Sequence, residues 1–405
     1  MAHKTVLLLG LGMQGTAALH DLVQFEMIDR IQVVDIRPDL AEVLAPYPDN
    51  RVAALDLDLA DTAAVERAMA AVDLVVEVLP ASLAVSMGQA AATVGVPLVS
   101  SVFYVTPRES DPARIQLLQA TADRIDHLAR ERGVPILTEF GLDPGIDVVL
   151  GARACAELDE VLEFRSYGAG IPDPGAADNP LRYKFSWAPL GVMQAYVRPA
   201  SVITGGRPKR IAGHDIFAPE NLHELNLPEL GTTLECYPNG NAVSYARQFG
   251  LNGNLHEAGR FTCRLPGHCD FWRVVARSGF LDDQPIQVGD STVSPVQFTA
   301  ALLQAQEQFR YGEGEQDIAM VRLDVRGLKD GREQRLVYQL VDRRDLDTGL
   351  TAMQRTVGFM LGLGARLILS GRVLRSGLLT ALDVQFEDVI AGLVRHGMRV
   401  TREVS

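Results

Sequence analysis

A chain of 405 residues, 47% hydrophobic and 22% charged, can bury a large core and is long enough for two or more domains. A formal charge of −13, with no basic cluster interrupting it, excludes a general nucleic-acid surface, and no apolar run reaches the length needed to cross a bilayer. A strand is expected directly after Met1-Ala2-His3-Lys4, so no signal peptide is expected, and four cysteines (Cys155, Cys236, Cys263 and Cys269) do not make a disulfide framework. The expected setting is therefore a reducing cytoplasm. Cys263, His268 and Cys269 lack a second pair at ligand spacing, so no metal is expected.

In chain order, Thr5 to Leu9 reads as a buried strand running into Gly10-Leu11-Gly12-Met13-Gln14-Gly15 and then into a helix expected over Thr16 to Met27. This is a G-x-G-x-x-G in the context of a dinucleotide site. Gly10 allows the turn, Gly12 lets backbone approach a pyrophosphate and Gly15 lets the helix approach the strand. The amides of Met13 and Gln14 at the helix start, with the helix dipole, attract the phosphates. A second strand, Ile31 to Asp35, ends in an acid twenty residues after Gly15, where it meets the adenosine ribose hydroxyls. A carboxylate there repels a 2′-phosphate, so NAD is expected and NADP is the second choice. Arg37 is either a reach toward that phosphate or a solvated loop charge.

Strands over Arg51 to Asp56, Asp73 to Leu79, Val96 to Ser100 and Val134 to Thr138 alternate with helices over Asp61 to Ala71, from Ala81 onward and over Asp111 to Arg132. That alternation implies right-handed crossovers and a parallel sheet. Asp56 and Asp58 end the third strand, either to meet an adenine amino group or to solvate a loop. Leu79 and Pro80, at the carboxyl end of the fourth, are placed to line the path of the nicotinamide ribose. In Gly141-Leu142-Asp143-Pro144-Gly145, Asp143 reads as a helix cap with Pro144 at the first helical position, or as a carboxylate at a crevice edge that attracts an amine.

From Val161 to about Asp347 the pattern changes to short β-rich runs and loops, with Tyr167 to Asn179 read as a long loop. Asp317 to Arg326 and Arg332 to Val341 alternate around Asp330-Gly331, a hairpin signal, so a second domain with a largely antiparallel sheet is expected. A helical pattern returns over Thr351 to Ser370, with Gly358, Gly362 and Gly364 permitting close packing, and again over Asp383 to His396. Both are expected to dock on the first domain.

Three clusters in the second domain carry chemistry. In Asn179-Pro180-Leu181-Arg182-Tyr183-Lys184-Phe185-Ser186-Trp187, Arg182 can clamp a carboxylate, and Lys184 is either a desolvated general base of lowered pKa or a surface lysine. Tyr245 and Arg247 end an alternating run. In Arg264-Leu265-Pro266-Gly267-His268-Cys269 the histidine is presented on a turn, as a proton shuttle or a structural residue. No Gly-x-Ser-x-Gly elbow or Cys–His nucleophile pairing is present, which disfavours a hydrolase.

Taken together, the glycine turn, GLDPGID (141–147), NPLRYKFSW (179–187), RLPGHC (264–269) and TAMQRTVGF (351–359) resemble the saccharopine dehydrogenase-like superfamily, and its lysine 6-dehydrogenase branch in particular. The resemblance implies an α/β fold in which a split Rossmann domain (1–142 and 350–405) holds an inserted α+β domain (143–349) that carries the substrate site and a homodimer contact. It implies NAD(P)-dependent oxidation at a nitrogen-bearing carbon, with the substrate in the cleft between the two domains. Oxidative deamination of the lysine side-chain amine is the expected reaction. The alternatives are a saccharopine- or carboxynorspermidine-type reductase forming a secondary amine, and a silent nucleotide sensor. Lys184 or His268 is the candidate base, and Arg182, Arg247 and Arg264 are the candidate carboxylate anchors. Leu265, often aromatic in relatives, and Ala188-Pro189-Leu190, where relatives frequently carry Ser-Pro-Arg, are departures that bear on the substrate.

Overall fold

The computed structural model describes residues 3–48, 51–106, 111–251 and 253–405. The chain starts with β1 (Lys4–Leu9), α1 (Met13–Leu22), β2 (Ile28–Val34), α2 (Leu40–Leu44), β3 (Val52–Ala54), α3 (Thr62–Ala70), β4 (Leu74–Glu77), α4 (Ala81–Val94), β5 (Leu98–Ser100), α5 (Pro112–Arg132), β6 (Pro135–Leu137) and α6 (Ile146–Ala156). It continues with β7 (Glu160–Pro172), α7 (Pro189–Ala195), β8 (Ala200–Thr204), β9 (Arg207–Ile211), β10 (His223–Leu227), β11 (Thr232–Pro238), α8 (Ala242–Gln248), β12 (Glu257–Arg264) and α9 (His268–Arg277). After β13 (Ile286–Val288), β14 (Ser291–Val293), α10 (Pro295–Gln304), β15 (Asp317–Lys329) and β16 (Arg332–Arg343) come α11 (Ala352–Leu369), β17 (Gly377–Leu379), α12 (Phe386–Arg395) and β18 (Val400–Val404).

Two compact units result. The first comprises Met1–Val149 and Gln354–Met398, the second Leu150–Met353 and Arg399–Ser405. The expected boundaries lay at 142/143 and 349/350, with everything after 350 in the first domain; here residues 399–405 pair with the second unit, because β18 extends its sheet along β16.

The first unit is built on a parallel seven-stranded sheet in the order β17-β6-β5-β4-β1-β2-β3. Its strands are apolar on both faces, as helix-covered parallel strands must be: Val6, Leu7, Leu8 and Leu9 are all fully buried. Order reverses between β4 and β1, the switch point where ligands bind in such sheets. Asp61 and Asp111 cap α3 and α5, accepting from the amides of Ala64 and Ala113. Strand β3 is shorter than expected, leaving Asp56 exposed beyond its end. Helix α1 starts three residues earlier than expected and ends at Leu22, because the glycine turn itself becomes its first turn.

The second unit holds a nine-stranded sheet whose main path is β10-β11-β12-β7-β15-β16-β18, with β8 and β9 off β12. All its pairings are antiparallel except β12 with β7. The expected hairpin is present, with Asp330 and Gly331 at φ 51° and 72°, the left-handed values a tight two-residue turn requires. The long loop expected over Tyr167 to Asn179 starts only after Pro172: Tyr167–Pro172 completes β7, paired with β15 throughout and with β12 as far as Ala169, and a Cβ on Gly170 would lie 2.6 Å from the Met353 Cε. Asp143 does not cap a helix at Pro144. Asp143-Pro144 is a cis bond in a turn, α6 begins only at Ile146, and the Asp147 carboxylate accepts from the Gly145 amide.

Candidate active site

The first unit presents a dinucleotide cradle. Gly10 has φ 94°, and a Cβ there would lie 2.8 Å from the Val78 carbonyl oxygen; one on Gly15 would lie 2.2 Å from the Gly10 oxygen. Both glycines are demanded by packing. Gly12 is different: a Cβ there would meet no atom within 4 Å, so the space above it is open. Helix α1 starts at Met13 with no side-chain cap and no acid in its first turn, leaving its leading amides to a ligand. The Asp35 carboxylate, just past β2, accepts from the amides of Leu11 (2.5 Å) and Arg37 (2.8 Å), which fixes it against the glycine turn. Arg37 is a partly exposed loop charge turned inward: its Nε and Nη2 donate to Asp39 at 2.7 and 2.9 Å and its Nη1 to the Leu11 carbonyl at 3.2 Å. These residues fit a dinucleotide.

The same edge holds a residue not singled out in the sequence. Glu77, the last residue of β4, is 0% exposed. Its Oε1 accepts from the Leu79 amide at 2.5 Å and its Oε2 from the Ser100 hydroxyl at 2.6 Å. Burial raises its pKa to about 7 against the pull of these two donors. A lone glutamate inside the apolar run Leu74-Val75-Val76-Glu77-Val78-Leu79 was the available signal.

In the second unit, two of the sequence motifs meet. The Arg264 guanidinium, on a residue 4% exposed at the end of β12, lies 5.0 Å from the centre of the Tyr183 ring and 6.0 Å from that of Tyr196. It donates to the Cys263 carbonyl at 3.0 Å and weakly to the Tyr196 hydroxyl at 3.4 Å; among the described residues no carboxylate pairs with it. His268 stacks edge-on against Tyr183 and Tyr196, with ring centres 5.5 and 5.4 Å apart, and its Nε2 shares a 2.9 Å hydrogen bond with the Tyr196 hydroxyl. Arg182, exposed and at φ 47°, reaches the Pro266 carbonyl at 3.5 Å.

Three expectations change here. His268 is not on an open turn: Gly267 at φ 91° admits the chain into α9, of which His268 is the first and buried residue. Burial, and then the positive charge of Arg264, hold its imidazole well below the ordinary histidine range, hence neutral. Lys184 is 4% exposed but is no lowered-pKa base. Burial alone would depress it, and its ion pairs with Glu315 (2.6 Å) and Asp178 (3.0 Å) outweigh that, so the ammonium is held above the usual lysine range. Arg247 stands exposed in the last turn of α8, a helix rather than the end of an alternating run, and no hydrogen bond or ring contact among the described residues joins it to Arg264 or His268. Tyr196, Tyr237 and Glu315 were missed in the sequence; only the fold brings these isolated residues to the cluster.

Residues 6–132 match the family model described as saccharopine dehydrogenase NADP binding domain, and residues 141–398 the one described as saccharopine dehydrogenase C-terminal domain. The chain belongs to the saccharopine dehydrogenase family. Its first unit is accordingly a nicotinamide-dinucleotide-binding domain, for NAD or NADP. It is 25% identical over 407 residues to an alpha-aminoadipic semialdehyde synthase of Arabidopsis thaliana, covering 82% of this chain and 37% of that protein. It is 28% identical over 288 residues to a saccharopine dehydrogenase [NADP(+), L-glutamate-forming] of Pyricularia oryzae, covering 70% of this chain and 59% of the relative. The chain thus spans between about a third and three fifths of the length of these two curated relatives. Among solved structures, apo saccharopine dehydrogenase (L-Glu forming) from Saccharomyces cerevisiae superposes with a TM-score of 0.82 at 21% identity, covering 99% of this chain and 100% of that one, which shows the shared fold.

Proposed function

We propose that this member of the saccharopine dehydrogenase family is an NAD(P)-dependent oxidoreductase that makes or breaks the secondary amine joining two amino acids. The observation that carries the reading is the meeting of the 179–187 and 264–269 segments, which sets a buried guanidinium without an acidic partner beside a neutral imidazole. A buried cation lacking a counter-charge is costly, and a substrate carboxylate removes that cost. The second guanidinium, Arg182, on the facing segment, favours a substrate with more than one carboxylate over lysine, which has one. The names of the relatives agree with that choice.

The dinucleotide, when bound, supplies the hydride acceptor or donor. The chain's own residues do the rest. Gly12 and the leading amides of α1 hold the pyrophosphate, Asp35 the adenosine ribose, and Leu79 and Pro80 the nicotinamide ribose. Arg264 fixes the amino-acid carboxylate, which orients the nitrogen-bearing carbon. A substrate amine has a pKa near about 10.4 and must lose its proton before the carbon can give up a hydride. Lys184, already a paired ammonium, cannot take that proton. His268 is the remaining candidate: burial, and then the Arg264 charge, suppress its basicity, and a substrate carboxylate offsets the second of these.

The deciding experiment is a substrate panel of saccharopine and lysine with NAD and NADP, following reduced-cofactor absorbance and separating glutamate from ammonia among the products. Turnover of saccharopine with glutamate release supports the reading. Turnover of lysine alone with ammonia release replaces it with side-chain deamination, and cofactor binding without turnover leaves a nucleotide sensor. Asp35→Ala reports the cofactor preference.

A further inference from the structure

Glu77 sits on β4 at the point where strand order reverses, in register with Leu9 of β1 on one side and Ser100 of β5 on the other. Leu9 leads directly into the glycine turn. The Glu77 carboxylate reaches forward to the Leu79 amide, the residue before Pro80 and the start of α4, and sideways to the Ser100 hydroxyl. Ser100 also accepts weakly from the Val102 amide at 3.3 Å. Leu79 in turn supports the glycine turn: a Cβ on Gly10 would lie 3.3 Å from its Cδ2. One buried carboxylate thus ties the β4–α4 loop to the end of β5, with the Leu79 side chain close to the glycine turn.

We propose that Glu77 is a positioning residue that clamps the β4–α4 loop for the nicotinamide end of the dinucleotide, and that protonation of its carboxylate loosens the clamp. The proposal rests on the dinucleotide reading above. In the charged form both oxygens accept from donors already aimed at them. A proton on the carboxyl turns one oxygen into a donor, so the Ser100 hydroxyl must reverse, and the Leu79 amide is left with a neutral acceptor, weaker than a charged one. Among the described residues no charged side chain acts on Glu77. An ionisable neighbour among the described residues is the Tyr104 phenol, buried with its hydroxyl lacking a hydrogen-bond partner and held protonated by burial and by the Glu77 charge. Glu77 itself is poised near neutrality.

The test is titration of the full-length protein with NADH and NADPH, read by nicotinamide fluorescence, from about pH 6 to about pH 9, for wild type, Glu77→Gln and Ser100→Ala. In the wild type the dissociation constant is expected to weaken about fivefold as pH falls, with an inflection near neutrality. Glu77→Gln is expected to be flat, and Ser100→Ala, which removes a donor to the carboxylate, to move the inflection to higher pH. A purely structural role would change melting without removing the inflection. A flat wild-type profile, or an inflection that Glu77→Gln leaves in place, overturns the proposal. If Glu77→Gln does not fold, the direction of the Ser100→Ala shift decides. Absence of binding at every pH overturns the dinucleotide reading and this proposal with it.

Discussion

Arg264 ends β12 with its guanidinium among tyrosine rings and a backbone carbonyl, and the proposed reading sets the substrate carboxylate beside it. Arg264→Ala is expected to lower kcat/KM for the amino-acid substrate about 100-fold or more, roughly 3 kcal/mol, while cofactor affinity stays within about twofold. Steady-state kinetics alongside cofactor titration checks it. Glu77 makes a stability statement as well. Its folded pKa of about 7 exceeds the ordinary 4.5, so its contribution is fully present below about pH 4.5 and is lost as pH rises through 7. Relative to Glu77→Gln, the wild type is expected to lose up to about 3 kcal/mol between about pH 5 and about pH 8, measured by denaturant unfolding. At this scale the sequence was partly legible. Arg264, Arg182 and His268 stood out by residue type, and two of the three motif clusters do converge. The states of His268 and Lys184 were not legible, because burial and a partner remote in the chain help set each: Tyr196, beside nearby Arg264, for the first, and Glu315, beside nearby Asp178, for the second.

Helix α1 separates what folding needs from what binding needs. Gly15→Ala would drive a Cβ to 2.2 Å from a backbone oxygen, so it is expected to destabilise the first unit by several kcal/mol. Gly12→Ala meets nothing and is expected to leave the melting temperature within about 2 °C, while weakening dinucleotide binding at least about tenfold by filling the pyrophosphate space. Thermal melts and cofactor titration of the two variants distinguish them. Further along α1, the buried Asp21 accepts from Arg366 of α11 at 2.8 Å, and His396, just after α12, lies 3.3 Å from the same carboxylate. Asp21→Asn breaks this pairing while leaving Arg366 only 11% exposed, and is expected to cost about 3 kcal/mol in denaturant unfolding. The glycine stripe of α11 was readable as a close-packing face, and so it is: a Cβ on Gly358 would lie 2.6 Å from the Gln14 carbonyl oxygen and one on Gly362 2.0 Å from Asp21. Helix ends and three-residue strands were harder to read, since so few residues carry no period. Strand β17 is defined by its pairing with β6, more than two hundred residues away in the chain.

The chain builds most of the parallel sheet, leaves to form the second unit and returns through α11, so the proposed cofactor residues all lie in the first unit. Dinucleotide at about 100 times its dissociation constant is expected to stabilise that unit by about 2.7 kcal/mol. Hydrogen exchange should show the added protection in the glycine turn and at Leu79; equal protection of β15 and β16 would contradict the assignment. The strand–helix alternation and the Asp330-Gly331 hairpin made both architectures readable, whereas the partnership of β18 with β16 is a choice among sheet edges that no local pattern encodes. The two guanidinium groups facing the proposed substrate are also anchored differently. Arg264 is carried by an interior strand, locked by β11 on one flank and β7 on the other, while Arg182 rides an exposed bend. Chain length and charge of the accepted compound should thus be adjustable by altering the bend, with the far end of the molecule always measured from the same immovable mark.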